Sequence, residues 1–388
     1  MKIAVVILNW NGKDFLERFL PSVYSSLCCK GRHDWEIELV VADNGSTDSS
    51  YNSFINIYNR LFPNTKEGAI AEQKECTCNK VALKWLQLSS NFGFTGGYNR
   101  ALASIWAEGT KSHSGAYDYY VLLNSDILTP DGWLTPLAEF MESRREVAIC
   151  QPKILSYSRH LERVAHQSNE PEQFEYAGAS GGFIDSFGFP FCRGRILSAI
   201  EDDTGQYDTP ARVFWASGAC LMIRAELFHR SGGLDEKFFA HMEEIDLCWR
   251  VALMGHQIWC VPQSAVYHVG GGTLPNNSPR KLYLNYRNNL LMLWKNLPQR
   301  GLGAKIFLRK CLDGLSAIIY LLKGDYSFAQ AVWRAHKDYN KLRRSSARSP
   351  RLTPTQKPYG QTKSSIILKF FLGKKRFSQL RESSFKSR

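Results

Sequence analysis

Residues 37–48, which read IELVVADNGSTD, contain the pattern from which the fold can be inferred. The segment 37–42 is almost entirely apolar and rich in β-branched residues, as expected for a strand that is buried on both faces. The polar cluster that follows ends the strand, and Ser46 or Thr47 can cap the next helix. The stretch therefore predicts a buried strand whose carboxyl end carries polar side chains.

The same alternation of strand and helix extends in both directions from this stretch. Apolar runs predict further strands at 3–9, 81–88, 119–123 and 147–151. Apolar residues at helical spacing predict helices at 14–27, at 133–143 and up to Trp106. Because strands and helices that alternate in this way form parallel sheets with helices on both faces, we expect an α/β, Rossmann-like fold.

Polar side chains follow four of these strands, and all of them are expected at one edge of the sheet, where such folds bind ligands. The predicted ligand-binding residues are Asn9, Asn11, Asp43, Asn91, Gly93, Gly97, Asn124 and Asp126. Asp43 can accept hydrogen bonds from a nucleobase or ribose, or it can simply form the turn. Asp126 can hold a divalent cation that neutralises a diphosphate, or it can cap a turn.

Three carboxylates, Glu243, Glu244 and Asp246, lie within four residues at the start of a predicted helix, 243–254. Acidic residues in a first turn favour the helix dipole, so one or two of them can be structural. Crowded carboxylates also raise one another's proton affinity, which suits a general base. We therefore predict that all three belong to a catalytic group. His268 ends a later strand ahead of three glycines, and it can be structural or complete a metal shell.

The segment 156–212 has no regular period and is rich in glycine and aromatic residues. We predict a long, functional loop region there. Arg193, Arg195 and the aromatic residues around them suit sugar stacking and the binding of a lipid diphosphate, with a packed structural insertion as the alternative. Trp215 is predicted to lie on the same acceptor side. The interval 63–79 also breaks the periodicity and is predicted to be a surface insertion.

Beyond residue 282 the pattern is helical, and from 299 to 340 it is amphipathic, which suits either core packing or a membrane surface. The net charge of +13 comes from the end of the chain, because residues 334–388 hold 16 Lys and Arg against two acidic residues. We predict a basic, flexible tail at 341–388 that favours an anionic membrane. The rest of the chain is nearly neutral, which argues against nucleic-acid binding.

No stretch reaches the ~18 consecutive apolar residues of a transmembrane helix. Residues 1–12 suit a buried strand better than a signal peptide. The ten cysteines lack zinc spacing and are too sparse for a disulfide scaffold, so reduced thiols are expected. We therefore expect a cytoplasmic protein that binds peripherally to the inner face of the cell membrane.

Several motifs follow one another in a fixed order along the chain. They are DNGSTD (43–48), NFGFTGGYNR (91–100), LLNSD (122–126), ASGACLMIR (216–224), GGLDEKFF (232–239), EEIDLCWR (243–250), VYHVGGG (266–272) and YRNNL (286–290). In this order they resemble family 2 glycosyltransferases, and most of all the rhamnosyltransferase-type branch that builds bacterial surface polysaccharides. The resemblance implies a GT-A fold, formed by a nucleotide-sugar-binding half (1–155) and a catalytic, acceptor-side half (156–298).

The resemblance also implies a reaction. It would be an inverting transfer from a nucleotide-diphosphate sugar, of the dTDP-rhamnose or UDP-sugar type, to a hydroxyl of a growing glycan or lipid-linked acceptor. Asp43 would bind the nucleoside, and the segment 91–97 would line the donor pocket. Asp126 would be a ligand of Mg²⁺ or Mn²⁺, with His268 as a second ligand.

The resemblance makes Glu244 the general base, because Glu243-Glu244 takes the place of the family's E-D pair. The chain departs from the family at two positions. Asn124 replaces the first aspartate of the D-x-D motif, and the base is Glu rather than Asp, which moves its carboxylate about one methylene further out.

Three other functions compete with this interpretation. A dehydrogenase would need G-x-G-x-x-G directly after the first strand, where this chain has NWNGKD (9–14). A sugar nucleotidyltransferase would need a glycine-rich, basic loop at the same place, and there is none. A catalytically degenerate scaffold that binds carbohydrate or membrane remains the alternative.

Overall fold

A computed structural model of the chain describes residues 1–28, 35–63, 73–75, 79–111, 116–270, 278–349, 358–380 and 385. The elements up to residue 156 are β1 (Lys2–Asn9), α1 (Lys13–Leu27), β2 (Trp35–Asp43), α2 (Ser50–Leu61), β3 (Gln73–Glu75), β4 (Asn79–Gln87), α3 (Gly93–Lys111), β5 (Tyr119–Asn124), β6 (Ile127–Leu128), α4 (Leu134–Glu142) and β7 (Val147–Ser156). Most of the predicted insertion at 63–79 and two of the three glycines after His268 lie outside the described residues.

The second half of the chain begins with one helix and a series of short strands. Its elements are α5 (Tyr157–His166), β8 (Glu172–Gln173), β9 (Gly182–Ile184), β10 (Pro190–Cys192), β11 (Arg195–Ile196), β12 (Ala199–Ile200), β13 (Asp202–Asp203), β14 (Ala211–Val213), β15 (Cys220–Arg224), α6 (Ala225–Arg230), α7 (Glu243–Leu253), β16 (Gln257–His268), α8 (Pro279–Asn296), α9 (Leu302–Leu322), α10 (Tyr326–Leu342) and α11 (Ile366–Phe371).

The main sheet has the order β14-β16-β7-β15-β5-β1-β2-β4-β3, and β6 pairs with β16. Its centre is parallel, because β1 pairs in parallel with both β2 and β5, and β2 pairs in parallel with β4. β15 runs antiparallel between β5 and β7, whereas β16 returns parallel to β7. The prediction of a mostly parallel α/β sheet is confirmed.

β1 shows why an apolar strand belongs at the centre of this sheet. Successive side chains of a strand point to opposite faces. Ala4 and Val6 enter the core that α3, α6 and α7 cover. Ile3, Val5 and Ile7 enter the core beneath α1, α2 and α4. Both faces are therefore covered by helices, and the polar ends of the strands are what remains accessible.

The structure differs from the expectation of a long loop at 156–212. This segment contains α5 and the short strands of a second sheet, ordered β12-β11-β10-β9. Two of the aromatic residues that suggested sugar stacking, Phe183 and Phe191, instead belong to a buried cluster, and their ring centroids lie 5.9 Å apart. Short strands of two or three residues have too few positions for alternation to be recognised in the sequence.

Within the predicted flexible tail (341–388), the structure describes residues 341–349, 358–380 and 385, and these differ from the expectation; the other residues of the tail lie outside the described ranges. Residues 358–380 and 385 pack on the second sheet, where Phe377 and Phe385 both lie 4.8 Å from Phe183 between ring centroids. Ile366 is fully buried, and its backbone N–H donates to the Asp185 carboxylate at 2.9 Å. A few apolar anchors thus order a segment whose average composition is basic and polar.

Candidate active site

A cavity of about 390 Å³ opens at the carboxyl edge of the parallel strands. Residues from both halves of the chain form its wall. They are Leu8, Trp10, Asn11, Gly12, Phe15, Asn44, Asn91, Gly93, Phe94, Asn124, Ser125, Asp126, Glu175, Tyr176, Ala177, Ser217, Gly218, Ala219, Phe239, Ala240, His241, Glu243, Glu244, His268, Arg280 and Lys281. The predicted residues in this wall are Asn11, Asn91, Gly93, Asn124, Asp126, Glu243, Glu244 and His268. The sheet edge and the start of α7 therefore meet in one space.

The remaining predicted donor residues, Asn9, Asp43 and Gly97, lie beneath this wall. Asp43 is buried, and its carboxylate accepts from Asn9 Nδ2 at 2.9 Å and from Gln87 Nε2 at 2.7 Å. A Cβ at Gly97 would lie 2.7 Å from the Leu8 side chain. These residues hold the ends of β1, β2 and α3 together, and Asn44, one residue after Asp43, lines the cavity instead.

Asp126 and His268 form the polar centre of the wall. His268 Nε2 lies 3.1 Å from Asp126 Oδ1, and its Nδ1 lies 3.4 Å from Glu175 Oε2. All three side chains are at most 10% exposed. Burial disfavours the imidazolium, but the two carboxylates outweigh it and raise the pKa of His268 to about 10.

This pair suits a divalent cation of the Mg²⁺ or Mn²⁺ type. Within the described part of the chain, no group of three or more acidic, His or Cys side chains could hold a metal ion. Mg²⁺ usually binds through one or two carboxylates and completes its shell with water and substrate phosphates, so Asp126, with His268 beside it, could hold such an ion together with a substrate. A metal at His268 would replace the proton that the two carboxylates favour, and its binding would release that proton.

Glu243 and Glu244 begin α7 and face the cavity. Burial and the neighbouring charge of Glu244 raise the pKa of Glu243 well above its usual range. Burial raises the pKa of Glu244 to about 7. One oxygen of each carboxylate, Oε2, is buried and has no hydrogen-bond partner among the described residues. Two proton-binding groups thus line the cavity, and neither forms an ion pair with a cation of the described residues.

Asp246, the third predicted catalytic carboxylate, lies elsewhere. It is fully buried and accepts from Arg250 Nε at 2.8 Å, from Lys295 Nζ at 2.9 Å and from Asn296 Nδ2 at 2.7 Å. Burial alone would raise its pKa, but Arg250 and Lys295 hold the pKa below its usual range. Asp246 does not reach the cavity wall, so the structure gives it an anchoring contact between α7 and α8.

The three residues predicted for the acceptor side do not line this cavity either. Arg193 donates to the carbonyls of Ser180, Tyr207 and Thr209 at 3.1–3.2 Å. Arg195 is buried and donates to the Leu197 carbonyl at 3.2 Å. The Trp215 indole N–H donates to the Phe183 carbonyl at 2.9 Å. Because most of their donors are used inside the fold and none of the three lines the cavity, their placement gives the acceptor-side prediction no support.

Other cavity residues were missed in the sequence. Trp10 is 43% exposed and lies at the end of β1, and Tyr176 and Glu175 precede the second sheet. Arg280 and Lys281 begin α8, whose first turn is capped by Ser278. The start signal Ser278-Pro279 followed by two cations could have identified this pair, but no pattern marks Glu175.

The model of the family named Glycosyl transferase family 2 matches residues 4–204, which is more than half of the chain. The chain belongs to glycosyltransferase family 2. This glycosyltransferase has the GT-A fold, as the mostly parallel sheet with its ligand edge shows. The predicted family, enzyme class and fold are confirmed.

Relatives of this glycosyltransferase include rhamnosyltransferases at low identity. It is 24% identical to the N-acetylglucosaminyl-diphospho-decaprenol L-rhamnosyltransferase of Mycobacterium tuberculosis over 267 residues, which are 69% of this chain and 75% of the relative. It is 26% identical to the rhamnosyltransferase WbbL of Escherichia coli over 179 residues, which are 46% of this chain and 61% of the relative. Within its family the chain is rhamnosyltransferase-like.

Solved structures with a distant likeness to this glycosyltransferase include two metal complexes. GalNAc-T7 with UDP, GalNAc and Mn²⁺ is 14% identical with a TM-score of 0.48, and the likeness covers 76% of this chain and 48% of GalNAc-T7. The mannosyltransferase PcManGT from Pyrobaculum calidifontis, in complex with GDP-Man and Mn²⁺, is 12% identical with a TM-score of 0.46, covering 87% and 86% of the two chains. The fold assignment depends on the family match and on the sheet itself.

Proposed function

We propose that the chain is an inverting glycosyltransferase that transfers a sugar from a nucleotide-diphosphate donor to a hydroxyl of a lipid-linked glycan. The observation that carries this proposal is the composition of the cavity wall. Glu244, with a pKa near 7, shares the cavity with the Asp126–His268 pair. Direct displacement at an anomeric carbon needs a base for the acceptor hydroxyl and a stabilised diphosphate leaving group.

On the donor side, we assign the nucleotide to the edge formed by β1, β2 and the start of α3. The exposed ring of Trp10 can stack on a nucleobase. Asp126 and His268 would hold the divalent cation, which supplies positive charge to the diphosphate when it is bound. Arg280 and Lys281 add two further positive charges to the same cavity. These groups together favour a leaving group that departs as an anion.

On the acceptor side, Glu244 would take the proton of the attacking hydroxyl. A group whose pKa is near the working pH is deprotonated often enough to accept a proton and basic enough to remove one. Only one catalytic carboxylate is required, because the phosphate leaves without protonation, whereas a glycosidase needs two. Gly218 packs beside this glutamate, because an added Cβ there would lie 3.6 Å from Glu244 Cβ.

For the substrates, we propose a dTDP-rhamnose or UDP-sugar donor and an acceptor of the sugar-diphospho-lipid type. The support is the name of the mycobacterial relative, which describes a rhamnosyltransferase acting on a diphospho-decaprenol. The product would serve the synthesis of a cell-surface polysaccharide.

Such an acceptor lies in a membrane, and α9 offers a surface for one. Its apolar residues face outward, with Phe307 and Leu322 at 67% and 83% exposure. The others are Leu308, Leu312, Leu315, Ile318, Ile319 and Leu321. Its buried side combines Ile306 with a polar pair, because Arg309 donates to Asp313 at 2.8 Å and to Asn289 at 2.7 Å. The helix is thus anchored by polar contacts and presents its apolar face outward, the reverse of a core helix.

We propose that this apolar face binds the anionic, cytoplasmic surface of the cell membrane. No described helix combines the length and apolar composition needed to cross a bilayer. Exposed cations, among them Lys337 of α10 and, after the end of α11, Lys374 and Lys375, complement anionic headgroups at about 1 kcal/mol each near the surface. α11 adds the exposed apolar side chains of Leu368 and Phe371. The start of α11 is bound to Asp185, whose carboxylate accepts from the Ile366 N–H and also interacts with the charge of Arg309 in α9.

Vesicle binding tests this surface. Wild-type protein should sediment with vesicles of phosphatidylglycerol and phosphatidylcholine, and less with phosphatidylcholine alone. Replacing Leu315 and Ile318 by Asp should abolish sedimentation, whereas Val164→Asp, which changes an equally exposed apolar residue on α5, should not. If the wild type does not bind vesicles but forms a concentration-dependent dimer, and the α9 variant is monomeric, the apolar face would instead be assigned to contact with a second copy of the chain.

The transfer reaction is tested with a donor panel. Purified protein with Mn²⁺ should transfer a sugar from dTDP-rhamnose, or from one of the UDP-sugars, to a synthetic sugar-diphospho-lipid, with the nucleoside diphosphate released in equal amount. The matching donor should also raise the unfolding temperature. Donor binding without release of nucleotide, with any acceptor tried, would favour the degenerate scaffold.

A further inference from the structure

The turn that leads into α7 has an unusual backbone. Phe239, His241 and Met242 have positive φ angles of 64°, 69° and 73°. Residues other than glycine adopt this region rarely, and they remain in it where surrounding contacts hold them. Phe239 and His241 line the cavity, and Met242 directly precedes Glu243. The conformation of this turn therefore decides where the two glutamates of the cavity stand.

One buried side chain of α8 contacts three carbonyls of the turn. Asn288 is fully buried, and its Nδ2 donates to the carbonyl oxygens of Phe238, Ala240 and His241 at 2.9, 2.8 and 2.8 Å. An amide nitrogen carries two hydrogens, so the three carbonyls share them. A side chain without these donors would leave buried carbonyl groups unsatisfied at this point, which native structures rarely tolerate.

Arg287 orients this amide and adds contacts of its own. Its Nε donates to Asn288 Oδ1 at 2.8 Å, which directs Nδ2 towards the turn. Its Nη2 donates to the carbonyls of Lys237 and Phe238 at 3.0 and 2.8 Å. On the other side of the turn, the Phe239 carbonyl accepts from the backbone of Thr95 in α3 at 3.2 Å. The turn is therefore held between α8 and the helix that begins at the donor edge.

We propose that Asn288 and Arg287 are positioning residues that hold the 238–242 turn in its strained form. By doing so they fix the position of Glu244, the proposed base, relative to the donor. Neither side chain is part of the cavity wall, so each acts through the turn. The catalytic part of this inference rests on the proposed function, whereas the structural part does not. It also gives a role to the YRNNL motif at 286–290, for which the sequence offered none.

The next residue provides a matched control. Asn289 has the same chemistry and is 1% exposed. Its Nδ2 donates to the Gly188 carbonyl at 2.6 Å, and its Oδ1 accepts from Arg309 at 2.7 Å. Its contact with the turn is limited to the Met242 sulfur at 4.0 Å. Asn289→Ala therefore removes a buried asparagine from the same helix without removing the three carbonyl contacts.

Hydrogen–deuterium exchange of the peptide that covers 236–247 tests the contact directly. Asn288→Ala should raise exchange there by about 10–100-fold, because the opened turn loses its shared donors. Asn289→Ala should leave exchange in this peptide unchanged. If Asn288→Ala does not fold, Arg287→Ala replaces it, since that change removes the two Nη2 contacts and the orientation of the amide from a half-buried site. Unchanged exchange in the variant that folds would overturn the proposal.

Steady-state kinetics test the catalytic consequence. At a temperature where all variants are folded, Asn288→Ala should lower kcat by about 10–100-fold, because the base is displaced, with donor KM little changed. Asn289→Ala should retain the wild-type kcat. Equal losses of kcat in the two variants would show that Asn288 only stabilises the fold and does not position the base. A wild-type protein that transfers no sugar would refute the proposed function, and the exchange experiment would still decide the role of Asn288.

Discussion

The carboxylates on the two sides of the first turns of α7 differ in the charges beside them and in the direction of their pKa shifts. On the cavity side, Glu243 is buried and Glu244 half-buried, neither forms an ion pair with a cation of the described residues, and the pKa of each is raised. On the inner side, Asp246 is fully buried but contacts Arg250 and Lys295, and its pKa is lowered. Within four residues, one side retains protons and the other loses them. Burial alone does not decide the state of an acid; the neighbouring charge does.

This difference separates function from stability. A buried acid without a cation destabilises the fold when it is charged, and it persists where its proton affinity is used. A buried acid with two cations connects helices, and the loss of one partner leaves the other charges unpaired. The comparison predicts opposite effects when the acids on the two sides are neutralised.

The largest effect on stability is expected on the inner side. Asp246→Asn should lower the free energy of unfolding by about 3–5 kcal/mol, because Arg250 and Lys295 would remain buried without their shared partner. Urea unfolding measures this change. Asp235→Asn, which removes the other and more exposed partner of Lys295, should cost less. A stable Asp246→Asn protein without transferase activity would place Asp246 on the functional side instead.

The cavity side predicts the pH dependence of the reaction. Glu244 must be ionised to accept a proton, and its pKa is about 7. The wild-type kcat/KM, which reports groups of the free enzyme, should therefore rise with pH up to about 7 and level off above it. Below that pH it should fall about tenfold per unit, as a single required base gives. A kcat/KM that is flat between pH 5.5 and 8 would contradict the role of Glu244 as the base.

The smallest effect is expected from Glu243. Its pKa in the folded state is raised, so the folded protein keeps a proton that the unfolded chain has lost, and stability falls as the pH rises above the ordinary glutamate value. Glu243→Gln removes this loss and should stabilise the protein at pH 8 by about 0.5–2 kcal/mol, and much less at pH 4.5. Thermal unfolding at the two pH values measures the difference. If Glu243→Gln is instead less stable than the wild type at pH 8, the charged Glu243 carboxylate makes a favourable contact that outweighs the cost of its burial.

The fold could be predicted from the sequence because its central strands are apolar on both faces. β1 and β2 can be recognised from their own residues, without knowing which strands they pair with, and the polar residues after them mark the ligand edge. The short strands between 182 and 203 and the packed tail could not be predicted, because their order depends on contacts between distant segments. The α9 pattern revealed an amphipathic helix but not which face turns outward.

The site could be predicted where residues lie at strand ends, and less well on α7. At about 100° per residue, Asp246 lies about 200° around the helix from Glu244, so helical geometry already separates the two. What the sequence could not supply was the partner, because Lys295 is 49 residues away from Asp246. The same holds for Glu175 beside His268 and for the asparagine that holds the turn before α7.

The central claim is that Glu244 is the base of a sugar transfer, and its neutralisation tests this most directly. Glu244→Gln keeps the size of the side chain but cannot accept a proton. With the donor and acceptor that the wild type uses, its kcat should fall by about 10²–10⁴-fold, while donor affinity in the presence of Mn²⁺ stays close to that of the wild type. Glu244→Gln protein that turns over at the wild-type rate, with Glu243→Gln inactive, would contradict the account.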